Sequence, residues 1–172
     1  MAISLKGRNF FALEDFTSEE IRYLLDLAIQ LKKESREHIR HQDYIGEDFL
    51  LLFEMNSTRT RCAFETSAND LGMGTTFLSN SHFGNTETIK DSMRVFSEMY
   101  SAIGYRGAKH STLLEMAKDS RIPIINGYTD HQHPTQMLAD AMTLDEVWGR
   151  ENYKGKTLCF IGRGGAVNSL SY

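Results

Sequence analysis

Phe49-Leu50-Leu51-Leu52-Phe53 is a continuous apolar run with Asp48 before it and Glu54 after it. A strand with one face in water alternates polar and apolar side chains, so an unbroken run predicts a strand buried on both faces. Other short apolar segments at Thr75–Leu78, Ala102–Tyr105 and Ile122–Ile125 alternate with helical patterns. Thr17 and Glu20 have capping-box spacing ahead of Ile21, Leu24, Leu25, Ala28 and Leu31, which repeat at helical intervals. Lys32–Gly46 reads as a polar connection and Ser79–Glu87 as a loop. Ile89, Met93, Phe96 and Tyr100 mark the core face of a helix. Thr112 with Glu115 predicts a helix start running to Asp119, and Thr135–Trp148 is helical. Lys156–Ile161 reads as a strand entering the turn Gly162-Arg163-Gly164-Gly165. This alternation predicts an α/β fold, a parallel sheet with helices on both faces.

The first chemical signal follows the apolar run directly. Ser57-Thr58-Arg59-Thr60-Arg61 lies where strand becomes helix, and Ala63, Phe64, Ser67, Ala68 and Leu71 then fall on one helical face. Free N–H groups and the positive helix end favour an anion there. Hydroxyls and a guanidinium suit phosphate oxygens. The plainer reading is a helix cap with solvated arginines. A second polar run, Asp130-His131-Gln132-His133-Pro134-Thr135-Gln136, precedes another helix. The turns at Ser57, Arg106 and His133 all follow strand candidates, so they can converge at the carboxyl edge of the sheet, where such sheets bind ligands.

Bulk properties narrow the choices. The 172 residues carry a net charge of −4 with both signs interspersed, which argues against a nucleic-acid partner. Cys62 and Cys159 lie far apart without metal spacing, as expected of a reducing compartment. No run approaches membrane-spanning length or a secretory signal, so a cytoplasmic protein is expected.

Together the two polar motifs resemble the aspartate/ornithine carbamoyltransferase family. Asp15–Ile21 opens the first helix as in that family, and Tyr105-Arg106-Gly107 and Leu138–Thr143 are similar to its ornithine branch. The resemblance implies a cofactor-free transfer of the carbamoyl group from carbamoyl phosphate to the side-chain amine of ornithine, giving citrulline. It assigns Ser57, Thr58, Arg59 and Thr60 to the phosphate, Arg106 and His133 to the carbonyl oxygen, and Gln136 to the carbamoyl amide. It also implies a trimer-based homo-oligomer in which a neighbouring subunit's Ser81-His82-Phe83-Gly84 loop reaches the phosphate; His82 stands where glutamine is usual. Residues 1–149 would form the carbamoyl phosphate domain, and residues 150–172 the first strand and turn of a truncated amino-acid domain. Gly162–Ser169 lacks the paired asparagines expected of the ornithine branch.

Other readings stand beside these. Asp130, His131 and His133 could suggest a metal, but the preferred reading puts His131 on the surface with no metal. Arg106 could be a structural ion-pair partner, and Arg61 is expected to be structural. Cys62 is expected to be a packing residue. Gly162-x-Gly-Gly has the wrong spacing for a dinucleotide. Putrescine is the rival amine. A fragment binding carbamoyl phosphate without turnover is the rival to an enzyme, and self-association through uncovered apolar surface is expected.

Overall fold

The computed structural model describes residues 3–150, 152–159 and 161. Its parallel sheet contains β1 (Asp48–Phe53), β2 (Gly74–Leu78), β3 (Ala102–Arg106) and β4 (Ile124–Asn126), in the spatial order β2-β1-β3-β4. Central β1 is the apolar run of the sequence, and its residues 49–53 are all buried. Successive side chains point to opposite faces. Phe49, Leu51 and Phe53 meet Phe64 and Ala68 of α2 (Arg59–Asp70) on one face. Leu50 and Leu52 meet Met93 of α3 (Ile89–Met99), and Leu113 and Met116 of α4 (His110–Asp119), on the other. Each such burial contributes roughly 1.5–3 kcal/mol.

The remaining helices, α1 (Ser18–Arg36) and α5 (Pro134–Trp148), pack together. Leu24 and Leu138 from them border an apolar cavity with Phe64 and Ile125. The capping box at Thr17 and Glu20 is formed. The amino-terminal segment protects the β4 edge: Phe10 exchanges main-chain hydrogen bonds with Ile124 and Asn126. The chain therefore leaves β1 toward one face and β3 toward the other. Because β1 and β3 are neighbours, their carboxyl ends flank the crevice where α/β sheets bind ligands.

Several boundaries differ from the sequence expectation. Helix α1 continues through Lys32–Arg36, part of the expected connection; Lys33 and Arg36 in its last turn complement the negative helix end. Helix α4 begins at His110, not at Thr112, because its capping group comes from another loop: Asp130 Oδ1 accepts the His110 N–H at 2.8 Å. Strand β4 begins at Ile124, after Pro123, which has no N–H to donate to a ladder. Helix α5 starts one residue early, at Pro134, a residue preset for the first helical position. Among the described residues the strand expected at Lys156–Ile161 is not seen: residues 156–159 have no regular structure, and Leu158 and Ile161 are exposed. Phe160 and the Gly162–Gly165 turn lie outside the described residues. Within α3, Met93 is buried, and Ile89 and Phe96 pack on the core with Tyr100 just beyond the helix, but Val95 and Met99 face outward.

Candidate functional site

An open cleft of about 1030 Å³ lies over the carboxyl ends of β1, β3 and β4. Its first wall is the amino end of α2, with Ser57, Thr58, Arg59 and Thr60 lining the space. Thr58 occupies the cap position with helix-like dihedrals (φ −89°, ψ −59°), and no side chain caps the helix. The cap reading of Ser57–Arg61 is thus not realised. The first intrahelical bond is Cys62 N–H to Thr58 C=O at 3.0 Å. Earlier amides are left for a ligand. Arg61 turns away: its guanidinium lies 3.6 Å over the Phe77 ring and donates to Glu65 at 3.0 Å. That is the structural role expected for it. Cys62, expected to pack, is exposed instead, because its position on α2 faces away from the sheet.

The second wall rises from β3. Arg106 ends that strand, donates from Nη1 to the Gly127 carbonyl at 3.0 Å, and sits 4.4 Å from the Tyr128 ring centroid. Among the described residues it makes no ion pair, and its buried Nε has no hydrogen-bond partner. The alternative of a structural ion-pair partner is therefore not seen. Burial lowers its pKa from the usual arginine range. A half-buried cation with an unused donor, edging a cleft, is poised for an anionic or carbonyl oxygen.

The third wall is the amino end of α5. His133 holds its cap position without a capping bond, and Thr135 Oγ1 lies 3.1 Å from His133 Nδ1. Burial, then the Arg106 charge, push the His133 pKa from 6.5 down to about 4, with Asp140 opposing them. The ring is therefore a neutral donor–acceptor near pH 7. Gln136 lies one turn inward, and its Nε2 donates to Asp140 Oδ1 at 2.9 Å. Two uncapped helix ends, α2 and α5, thus direct positive potential into one space.

The loop carrying His133 is fixed from several sides. Asn126 is fully buried, and its Nδ2 donates to the Phe11 and Gln132 carbonyls at 2.8 and 3.2 Å. Gln132 accepts the Leu13 N–H at 3.1 Å. His131, expected on the surface, is half-buried; it contacts Glu14 at 3.0 Å, and its ring lies tilted against that of His110. Tyr128 adopts φ 147°, a strained region for a residue with a side chain, and turns its ring between Arg106 and His133. Among the described residues, no three His, Cys, Asp or Glu side chains gather as a metal site. No helix there is long and apolar enough to cross a membrane.

The family model for the carbamoyl-phosphate-binding domain of aspartate/ornithine carbamoyltransferase matches residues 8–146. The chain belongs to the aspartate/ornithine carbamoyltransferase family. An ornithine carbamoyltransferase of Caldanaerobacter subterraneus subsp. tengcongensis is 46% identical over 166 residues, 95% of this chain and 52% of that protein. A catabolic ornithine carbamoyltransferase of Clostridium perfringens is 51% identical over 146 residues, 85% of this chain and 44% of that protein. The ornithine carbamoyltransferase structure from Pyrococcus furiosus superposes with a TM-score of 0.82 at 36% identity, over 84% of this chain and 47% of that one. This carbamoyltransferase-family chain thus spans about half the length of the relatives it matches.

Of the residues that the family resemblance singled out, Ser57, Thr58, Arg59, Thr60, Arg106, His133 and Gln136 share the cleft. His82 does not line it; its Nδ1 contacts Thr86 within the β2–α3 loop. Tyr128 and Asp140 also line the cleft and were not singled out. Tyr128 carried only a weak signal, its place two residues past a strand. Asp140 carried a clearer one, four residues after Gln136 on the same helical face.

Proposed function

We propose that this chain supplies the carbamoyl phosphate half-site of an ornithine carbamoyltransferase. The observation that carries the reading is the convergence of two uncapped helix ends with Arg59, Arg106 and neutral His133 in one cleft. The amides and hydroxyls at Ser57, Thr58 and Thr60, with the Arg59 guanidinium, hold the phosphate. Arg106 and His133 donate to the carbonyl oxygen, where negative charge grows as the amine attacks. With the Thr135 hydroxyl donating to Nδ1, the neutral His133 ring offers its Nε2–H. The amine nitrogen bonds to the carbamoyl carbon, the carbon–oxygen bond to phosphate breaks, and the proton that the nitrogen sheds passes to the departing phosphate, which leaves as hydrogen phosphate. The dianionic leaving group departs while still held by the same helix end.

Ornithine is the proposed acceptor, supported by the names of the relatives; putrescine is the competitor to test beside it. Residues 1–149 act as the carbamoyl phosphate domain and residues 150–172 as the entry to an amino-acid-binding one. Assembly is trimer-based, and His82 of one subunit approaches the phosphate held by the next.

Calorimetric titration of the chain with carbamoyl phosphate tests the half-site. Specific binding is expected, weakened tenfold or more by Arg59→Ala, about the worth of one charge-assisted contact. Wild-type binding that survives Arg59→Ala unchanged would remove the phosphate assignment. Adding ornithine or putrescine then asks whether citrulline, the putrescine product or neither forms. Sedimentation tests the oligomer; a plain monomer at micromolar concentration would count against it.

A further inference from the structure

Among the described residues that line a cleft suited to a dianion, one carries a carboxylate, Asp140. A like charge there opposes phosphate binding, so its presence calls for a compensating role. Among the described residues Asp140 forms no ion pair, and its hydrogen-bond donor is the Gln136 amide, 2.9 Å away and one helical turn earlier. An ionised carboxylate only accepts hydrogen bonds, whereas a primary amide has one donating and one accepting end. The Gln136 NH₂ must therefore face Asp140, which leaves Oε1 as the end of this cleft-lining amide that can accept from a ligand.

We propose that Asp140 is a positioning residue that sets selectivity for a carbamoyl over an acyl group by fixing the orientation of Gln136. This rests on the carbamoyl phosphate reading of the cleft. Carbamoyl and acetyl phosphate share the phosphate and the carbonyl and differ in NH₂ against CH₃. Only NH₂ can donate to the Gln136 Oε1. A freely turning amide would present its own NH₂ part of the time, where it meets the ligand's donor with another donor. Asp140 removes that orientation, at a cost in phosphate affinity common to both ligands.

The test measures carbamoyl phosphate, acetyl phosphate and inorganic phosphate binding to the 172-residue chain, its Asp140→Asn variant, Gln136→Leu and the double variant. Asparagine keeps the shape but can both donate and accept, so the Gln136 amide is free to turn. Inorganic phosphate should bind Asp140→Asn at least as tightly as the wild type, which also shows that the variant is folded. The carbamoyl-to-acetyl affinity ratio should fall about three- to tenfold, the worth of one hydrogen bond. Gln136→Leu should lower it as much, and the double variant no further, since the two changes act through one contact. An unchanged ratio in Asp140→Asn, with carbamoyl phosphate still bound, overturns the role of Asp140 alone. Failure of the wild type to bind carbamoyl phosphate overturns the cleft reading and this inference with it.

Discussion

Acid should weaken the fold through His133, and the size of the effect can be worked from the site. Its folded pKa lies near 4, against an ordinary 6.5, because of burial and the Arg106 charge. The unfolded chain therefore takes up the proton first as pH falls. Stability is complete above pH 6.5, declines from there, and levels off below about 4. A displacement of that size is worth at most about 3 kcal/mol. The ring is only half-buried, and solvent screening brings the expected loss to roughly 2 kcal/mol. Urea unfolding of wild type and His133→Asn at intervals from pH 7.5 to 4 isolates this contribution. His110, also lowered by burial, and Glu20, Glu34 and Glu146, held below the usual carboxylate range chiefly by hydrogen bonds, act equally in both proteins. Wild type should lose roughly 2 kcal/mol more than His133→Asn across the window. Parallel stability curves would refute the claim that His133 is held neutral. Phosphate in the cleft offsets the Arg106 charge, so its binding near pH 5 should draw a proton onto the ring.

Other perturbations have definite expected outcomes. Asp130→Ala removes the acceptor that caps α4 and should cost about 1 kcal/mol in urea unfolding, with faster amide exchange in the first turn of that helix. Gly127→Ala brings a methyl within 2.9 Å of the Phe64 ring and 3.2 Å of the Tyr105 carbonyl. A loss of about 1–3 kcal/mol is expected, with weaker phosphate binding as the carbonyl that holds Arg106 is displaced. In a full-length enzyme carrying this half, His133→Ala should lower turnover by about 10²–10³ while leaving phosphate affinity nearly intact.

The elements most legible in the sequence were those fixed by their own local pattern. Phe49–Phe53 carries the signature of a strand buried on both faces, and Thr17 with Glu20 announced their helix within four residues. The cleft was legible because Ser57–Thr60 and His133–Gln136 each combine a helix start with anion-suited side chains, both following strands. What escaped was tertiary. The start of α4 is set by Asp130, twenty residues further along the chain. Tyr128 acts through a strained backbone angle and the face of its ring, neither of which has a short-range signature. Lys156–Ile161 has a strand's composition, but a strand is a relation between segments, and none of the described residues pairs with it. Cys62 shows the same limit: one position along α2 decides whether a small residue packs or faces solvent.

The contacts that fix the His133 loop join the two ends of the domain. Leu13 N–H to Gln132 Oε1 spans 119 residues, and Asn126 Nδ2 to the Phe11 carbonyl spans 115. Closing so long a loop is entropically slow and happens only when the intervening strands and helices are in place. A partly folded chain can present the Ser57–Thr60 turn, but it cannot hold His133 opposite it. Competence to bind is therefore expected to depend on the whole domain, with loss of the cleft following global unfolding rather than local fraying. A ligand that needs both walls should slow amide exchange in the slowest core strands, β1 and β3, and not merely in the loops it touches.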